Sequence, residues 1–119
     1  MNKRLSDSEI KVLNILWEKG TMSAKDVCAV AEETIGWNKN TTYTVLTKMV
    51  AKGIIKRDEP GFLCTAMVSE KSARKGELES LLARIFRGSR KALFSALFED
   101  EKLTKEELAE LHRILDNKE

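Results

Sequence analysis

The residues with the clearest chemistry in this 119-residue chain lie between Lys39 and Arg57. Five bases, Lys39, Lys48, Lys52, Lys56 and Arg57, occur across these 19 positions without a single acid. Such a window suits contacts with the phosphates of a nucleic acid, which supply the sequence-independent part of affinity. Asn40, Thr41, Tyr43, Thr44 and Thr47 are interleaved with the bases. Short hydroxyl side chains let a helix approach base edges, Thr methyls can meet thymine methyls, and Asn and Tyr can hydrogen-bond phosphates or adenine. The competing reading is a solvated helix whose threonines merely cap it. The wholly acid-free stretch favours the nucleic-acid reading.

Other chemistries find little support. Cys28 and Cys64 stand far apart, in no C-x-x-C pair and with no His three to five residues away, so metal spacing is missing and reduced, structural thiols are expected. A thiol pair sensing redox state is the weaker alternative. The single histidine, His112, sits among Leu, Glu and Arg, and is assigned no chemistry. There is no glycine-rich phosphate loop, no G-x-S-x-G and no H-E-x-x-H, so neither an enzyme nor a cofactor or metal is expected.

The elements that must carry the basic window can be read from caps and periodicity. Ser6-Asp7-Ser8-Glu9 is a capping box, and Ile10, Leu13, Leu16 and Trp17 predict a helix over about 7–19, closed by Lys19-Gly20. Ser23 caps a second helix that ends near Glu33, with Val27, Val30 and Ala31 on one face. Asn38 or Asn40 caps a third, whose stripe is Thr42, Val45, Leu46, Met49 and Val50. With Leu46 inward, a step of about 100° per residue turns Asn40, Thr41, Thr44, Thr47, Lys48 and Ala51 outward and leaves Tyr43 at the margin. Two extended runs, Ile54–Arg57 and Phe62–Val68, flank Asp58-Glu59-Pro60-Gly61 and predict a β-hairpin turning through a type II turn. Thr21-Met22 can add a third strand.

Three short helices and a hairpin make a winged helix-turn-helix, expected over 1–68, in which the third helix faces the DNA major groove. Lys56 and Arg57 then reach the flanking backbone as part of the wing, or serve as charges that protect an edge strand. Trp17 and Trp37 are expected as core anchors rather than platforms for bases.

From Ser69 onward the pattern is helical. Leu78, Leu81, Leu82, Ile85 and Phe86 form a first apolar stripe, Leu93, Phe94, Leu97 and Phe98 a second, and Leu108, Leu111, Ile114 and Leu115 a third behind the capping box at Thr104–Glu107. A segment of this size, 69–119, buries too little of such stripes alone, which predicts a helical dimerisation domain in a two-fold homodimer. Its interface is expected at Leu78, Leu81, Leu82, Ile85, Phe86, Leu93, Phe94, Leu97, Leu108, Leu111 and Leu115. The fold class is therefore mainly α with a small β-hairpin.

Charge is segregated although the net value is only +2. Lys71–Lys91 carries seven bases against Glu77 and Glu79, and Glu99–Glu119 carries eight acids against four bases. Solvated helix faces are the plain reading of both runs. Apolar runs are only a few residues long, and the basic start is followed by Ser6-Asp7-Ser8-Glu9 and not by an apolar core. No membrane insertion and a cytoplasmic location are expected.

The stretch Leu5–Trp17, the block from Trp37 to Met49 with its W-x(3)-T-x(2)-T-x(2)-T-[KR]-[LM] pattern, and Lys52-Gly53 before the hairpin resemble the penicillinase-repressor family, the BlaI/MecI/CopY group. The likeness spans nearly the whole chain, and the three-helix tail resembles that family's dimerisation region. It implies a dimeric bacterial repressor on a dyad-symmetric, palindromic operator, controlling antibiotic-resistance or stress genes. It further implies release by proteolysis when a membrane sensor-protease detects a β-lactam. It places base reading on Tyr43 and Thr44, with Thr47 and Lys48 in the same block. Where the β-lactam branch is cut at an Asn-Phe bond, the aligned bond here is Leu97–Phe98. The copper branch carries Cys-x-Cys pairs near its end, and Leu115–Glu119 holds none, so copper or zinc sensing by that route is not expected. Position 43 is Tyr where the resemblance leads one to expect Arg or another polar residue. The alternative from a different class is a winged-helix protein-interaction module that does not touch DNA.

Overall fold

The computed structural model describes residues 5–99 and 104–116. Its elements are α1 (Asp7–Lys19), β1 (Met22–Ser23), α2 (Ala24–Thr34), α3 (Lys39–Ala51), β2 (Ile55–Asp58), β3 (Leu63–Ala66), α4 (Glu70–Ile85), α5 (Arg90–Phe98) and α6 (Lys105–Asp116). The chain divides into two compact units, 1–77 and 78–119.

In the first unit the caps act where the sequence places them. Ser6 Oγ accepts from the Glu9 amide at 3.2 Å while Glu9 Oε1 accepts from the Ser6 amide at 2.8 Å. Ser23 caps α2, and Asn38, not Asn40, caps α3 through its side-chain oxygen, 2.8 Å from the Thr41 amide. Gly20 stops α1 with φ 83°, a left-handed angle that a Cβ disfavours.

The strands form one antiparallel sheet in the order β1-β3-β2, with Met22 opposite Cys64 and Arg57 opposite Cys64 across the other edge. The hairpin connection differs from the expected type II turn. Asp58 pairs with Leu63, leaving a four-residue connection, Glu59–Phe62. The Glu59–Pro60 peptide is cis, and Gly61 and Phe62 both have positive φ, 89° and 49°. A type II turn has only one such residue.

Val12, Leu13 and Leu16 of α1, Ala24 and Val27 of α2, Leu46 and Met49 of α3, and Ile54, Ile55 and Cys64 of the hairpin form the core. Each fully buried Leu, Ile or Met contributes about 1.5–3 kcal/mol by leaving water. Trp17 and Trp37 pack against it half-buried, and Trp17 Nε1 donates to the Val68 carbonyl at 2.8 Å, fastening the segment after β3 to α1. This is the winged helix-turn-helix that the sequence predicts.

In the second unit Leu82 is buried, whereas Leu78, Ile85 and Phe98 are exposed. Leu81, Phe86, Leu93, Phe94 and Leu97 are half-buried, and α5 has no buried residue. α4 ends where Gly88, φ 82°, returns its amide to the Leu82 carbonyl at 2.9 Å, and Ser89 caps α5. Thr104 and Glu107 form the expected capping box of α6. The side chains of Leu108, Leu111 and Leu115 lie outside what is described.

Candidate nucleic-acid interface

α3 is held from below and bare above. Leu46 and Met49 anchor it, and buried Thr42 donates its hydroxyl to the Asn38 carbonyl at 3.3 Å, so its polar atom is satisfied. On the opposite face Lys39, Asn40, Thr41, Thr44, Thr47, Lys48 and Ala51 are all exposed. No acid lies in the first turn of the helix. Because Asn38 does the capping, the Asn40 side chain is left available. Thr44 Oγ1 donates to the Asn40 carbonyl at 2.9 Å, so its proton is already committed. What Thr44 offers a base is an acceptor lone pair and a methyl group.

Tyr43 differs from its neighbours. It lies about 60° from the direction of Leu46 and is accordingly half-buried. Its ring meets Phe62 edge-on, centroids 6.0 Å apart at 64°, and the Lys39 ammonium lies 5.9 Å from its centroid.

The wing is electrically quieter than the basic window suggests. Lys56 and Asp58 pair at 3.4 Å, Arg57 pairs with Glu59, and Lys52 pairs with Glu9 at 2.7 Å. The Arg57 guanidinium also lies 3.8 Å over the Phe62 ring. Lys56 and Arg57 remain about half exposed, and exposed pairs of this kind are weak enough for a phosphate to replace the carboxylate. Arg57 and the Phe62 amide hold the Glu59 carboxyl below the usual range. Asp58, Glu59 and Phe62 were legible only by extending the window past Arg57, where two acids follow directly.

Among the described residues no three His, Cys, Asp or Glu side chains come together as a metal site. Cys28 and Cys64 are buried and unbridged. Burial pushes the Cys64 thiol up to about 11 against the opposing field of Arg57, and raises that of Cys28 as well. Among the described residues no helix is long and apolar enough to cross a membrane.

Known proteins resemble this chain in sequence and fold. The chain is 28% identical over 116 residues to the methicillin resistance regulatory protein MecI of Staphylococcus aureus, covering 96% of this chain and 94% of that one. It is 25% identical over 115 residues to the penicillinase repressor of Bacillus licheniformis, covering 95% and 90%. The solution structure of the DNA binding domain of the repressor BlaI superposes with a TM-score of 0.54 at 25% identity, over 60% of this chain and 93% of that chain. The penicillinase repressor family model matches residues 5–117, so the chain belongs to the penicillinase repressor family, a family of transcriptional repressors and not of enzymes.

Proposed function

We propose that this protein is a cytoplasmic repressor that binds double-stranded operator DNA as a homodimer, with α3 in the major groove. The observation that carries this reading is the exposed, acid-free face of α3 mounted on a buried Leu46–Met49 anchor. Asn40, Thr41, Thr44 and Thr47 face the bases, with Tyr43 beside them, while Lys39, Lys48, Lys56 and Arg57 take the phosphates. By role, residues 1–68 bind DNA and 69–119 dimerise, although the compact units divide later, within α4. A two-fold dimer presents two identical helices about one helical turn apart, or a whole multiple of it, and so reads a palindrome. The regulated genes on this reading are antibiotic-resistance or stress genes.

Release on this reading is by a membrane sensor-protease that cleaves Leu97–Phe98. That bond lies at the end of α5, which has no buried residue, and Phe98 is exposed.

Selection of sites from random duplex DNA tests the reading. A palindromic pool, bound with an affinity that falls steeply with salt, is the expected result. Salt-independent binding would leave the protein-interaction module as the better account, and an asymmetric or sequence-neutral pool would refute the dyad arrangement.

A further inference from the structure

The wing and the third helix meet at one side chain, that of Phe62. Phe62 closes the hairpin connection with φ 49°, a left-handed angle that is uncommon for a bulky residue and persists only where the surroundings hold it. Three contacts do so. Its ring packs edge-on against Tyr43, the Arg57 guanidinium covers it at 3.8 Å, and its carbonyl accepts from the Ala24 amide at 2.9 Å, at the start of α2. Glu59 completes the arrangement by pairing with Arg57 and accepting the Phe62 amide at 3.2 Å. A run of four side chains, Lys39, Tyr43, Phe62 and Arg57, therefore joins the reading helix to the wing.

We propose that Phe62 is a positioning residue for base recognition: it fixes the Tyr43 side chain at the edge of the reading surface and sets sequence discrimination without being a base contact. The proposal rests on the DNA-binding reading above and deepens it. Tyr43 packs against the core from the margin between core and solvent, so a lateral neighbour on its open side limits how far the ring turns outward. An aromatic edge contact selects one orientation, and a side chain ordered before binding loses less entropy on meeting a base. Arg57, held over the same ring, makes the wing and the helix a single recognition unit.

Tyr43 is the only tyrosine in the chain, so its ring resonances report the contact in the free, full-length protein without ambiguity. Phe62→Leu is expected to move them toward those of an unpacked tyrosine. It should also relax preference, by roughly three- to tenfold, at the half-site position that Tyr43→Ala relaxes. Phe62→Trp, which keeps an aromatic face, should preserve both. In the Tyr43→Ala background Phe62→Leu should add no further loss at that position, whereas a general loosening of the fold would. Phe62→Met answers the same question should the leucine variant not fold. An unchanged binding-site pool for Phe62→Leu, or fully additive losses in the double variant, would overturn the proposal. Binding by the unmodified protein that is neither salt-dependent nor sequence-selective overturns the DNA-binding reading itself, and is seen before any variant is made.

Discussion

Lys52 Nζ lies 2.7 Å from Glu9 Oε2, joining the last residue of α3's C-terminal cap to the first turn of α1. Glu9 is buried, while Lys52 is still about two-fifths exposed. The same carboxylate accepts the Ser6 amide, so one side chain caps α1 and moors the end of α3. Burial raises the Glu9 pKa, but the hydrogen bonds from Lys52 and Ser6 outweigh it and hold the group below its ordinary value of 4.5. A depressed folded-state pKa means that the stabilisation is complete above the unfolded value and is lost as pH falls through the folded one.

Glu9→Gln should therefore weaken the winged-helix unit at neutral pH by about 1–2 kcal/mol, since it removes a charged hydrogen bond to a half-exposed partner. Its urea midpoint should also change less than that of the unmodified protein as pH is lowered below about 4.5. Parallel pH profiles for the two proteins would show that Glu9 does not carry this linkage.

The cations of α3, which have no carboxylate partner among the described residues, and the ion-paired cations of the wing should behave differently toward phosphates. Lys39→Ala and Lys48→Ala are each expected to weaken binding to every duplex alike and to reduce the slope of log K against log salt by about one. Glu59→Gln releases Arg57 from its carboxylate and should strengthen binding to all duplexes. Unaltered affinity in Glu59→Gln would mean that Arg57 does not reach the backbone.

Thr44→Ala should relax discrimination at one position of each half-site by about 1–3 kcal/mol while leaving nonspecific binding nearly intact. Because the Thr44 hydroxyl proton is committed to Asn40, the isosteric Thr44→Val separates the two remaining roles. Retained preference in Thr44→Val points to a methyl contact with thymine; lost preference points to an accepted hydrogen bond. The same pool from all three proteins would remove Thr44 from the reading surface.

Leu78 and Ile85 are exposed on α4 while Leu82 is buried, so their substitutions should separate association from folding. Leu78→Glu with Ile85→Glu is expected to yield monomers by sedimentation with little loss of helix. Leu82→Ala should instead lower stability by about 2–4 kcal/mol through the cavity it leaves. Dimers that persist in the double glutamate variant would place the interface elsewhere.

Both thiols should be inert in the native protein. With a pKa of about 11, Cys64 is thiolate to only about one part in a thousand at pH 8. Labelling by an alkylating reagent should follow unfolding, and rapid labelling of native protein would revive the redox reading.

The local elements were legible because each is decided by neighbours in sequence. Ser6 with Glu9 and Ser23 with Asp26 satisfy helix amides three residues away, and Gly20 ends α1 by its own backbone freedom. The apolar stripe through Leu46 and Met49 likewise determined which face of α3 points to solvent, and so brought Asn40, Thr44, Thr47 and Lys48 to one surface. Even the choice between Asn38 and Asn40 as cap, open in the sequence, turned on a single local hydrogen bond.

What the sequence by itself determined was thus the order of elements, their ends, and the polar, acid-free face of the third helix. Only the tertiary structure decided how that face is supported and how much of the basic window remains free. Glu9 meets Lys52 across 43 residues, and Tyr43 meets Phe62 through the packing of a hairpin on a helix. By contrast Lys56–Asp58 and Arg57–Glu59 are pairs two residues apart, along β2 and across its end, and so follow from the strand's own alternation. Helix caps and periodic stripes depend on backbone geometry repeated every few residues. Ion pairs and aromatic contacts between elements depend on register and packing, which arise only when the whole core closes around Leu13, Leu46 and Ile55.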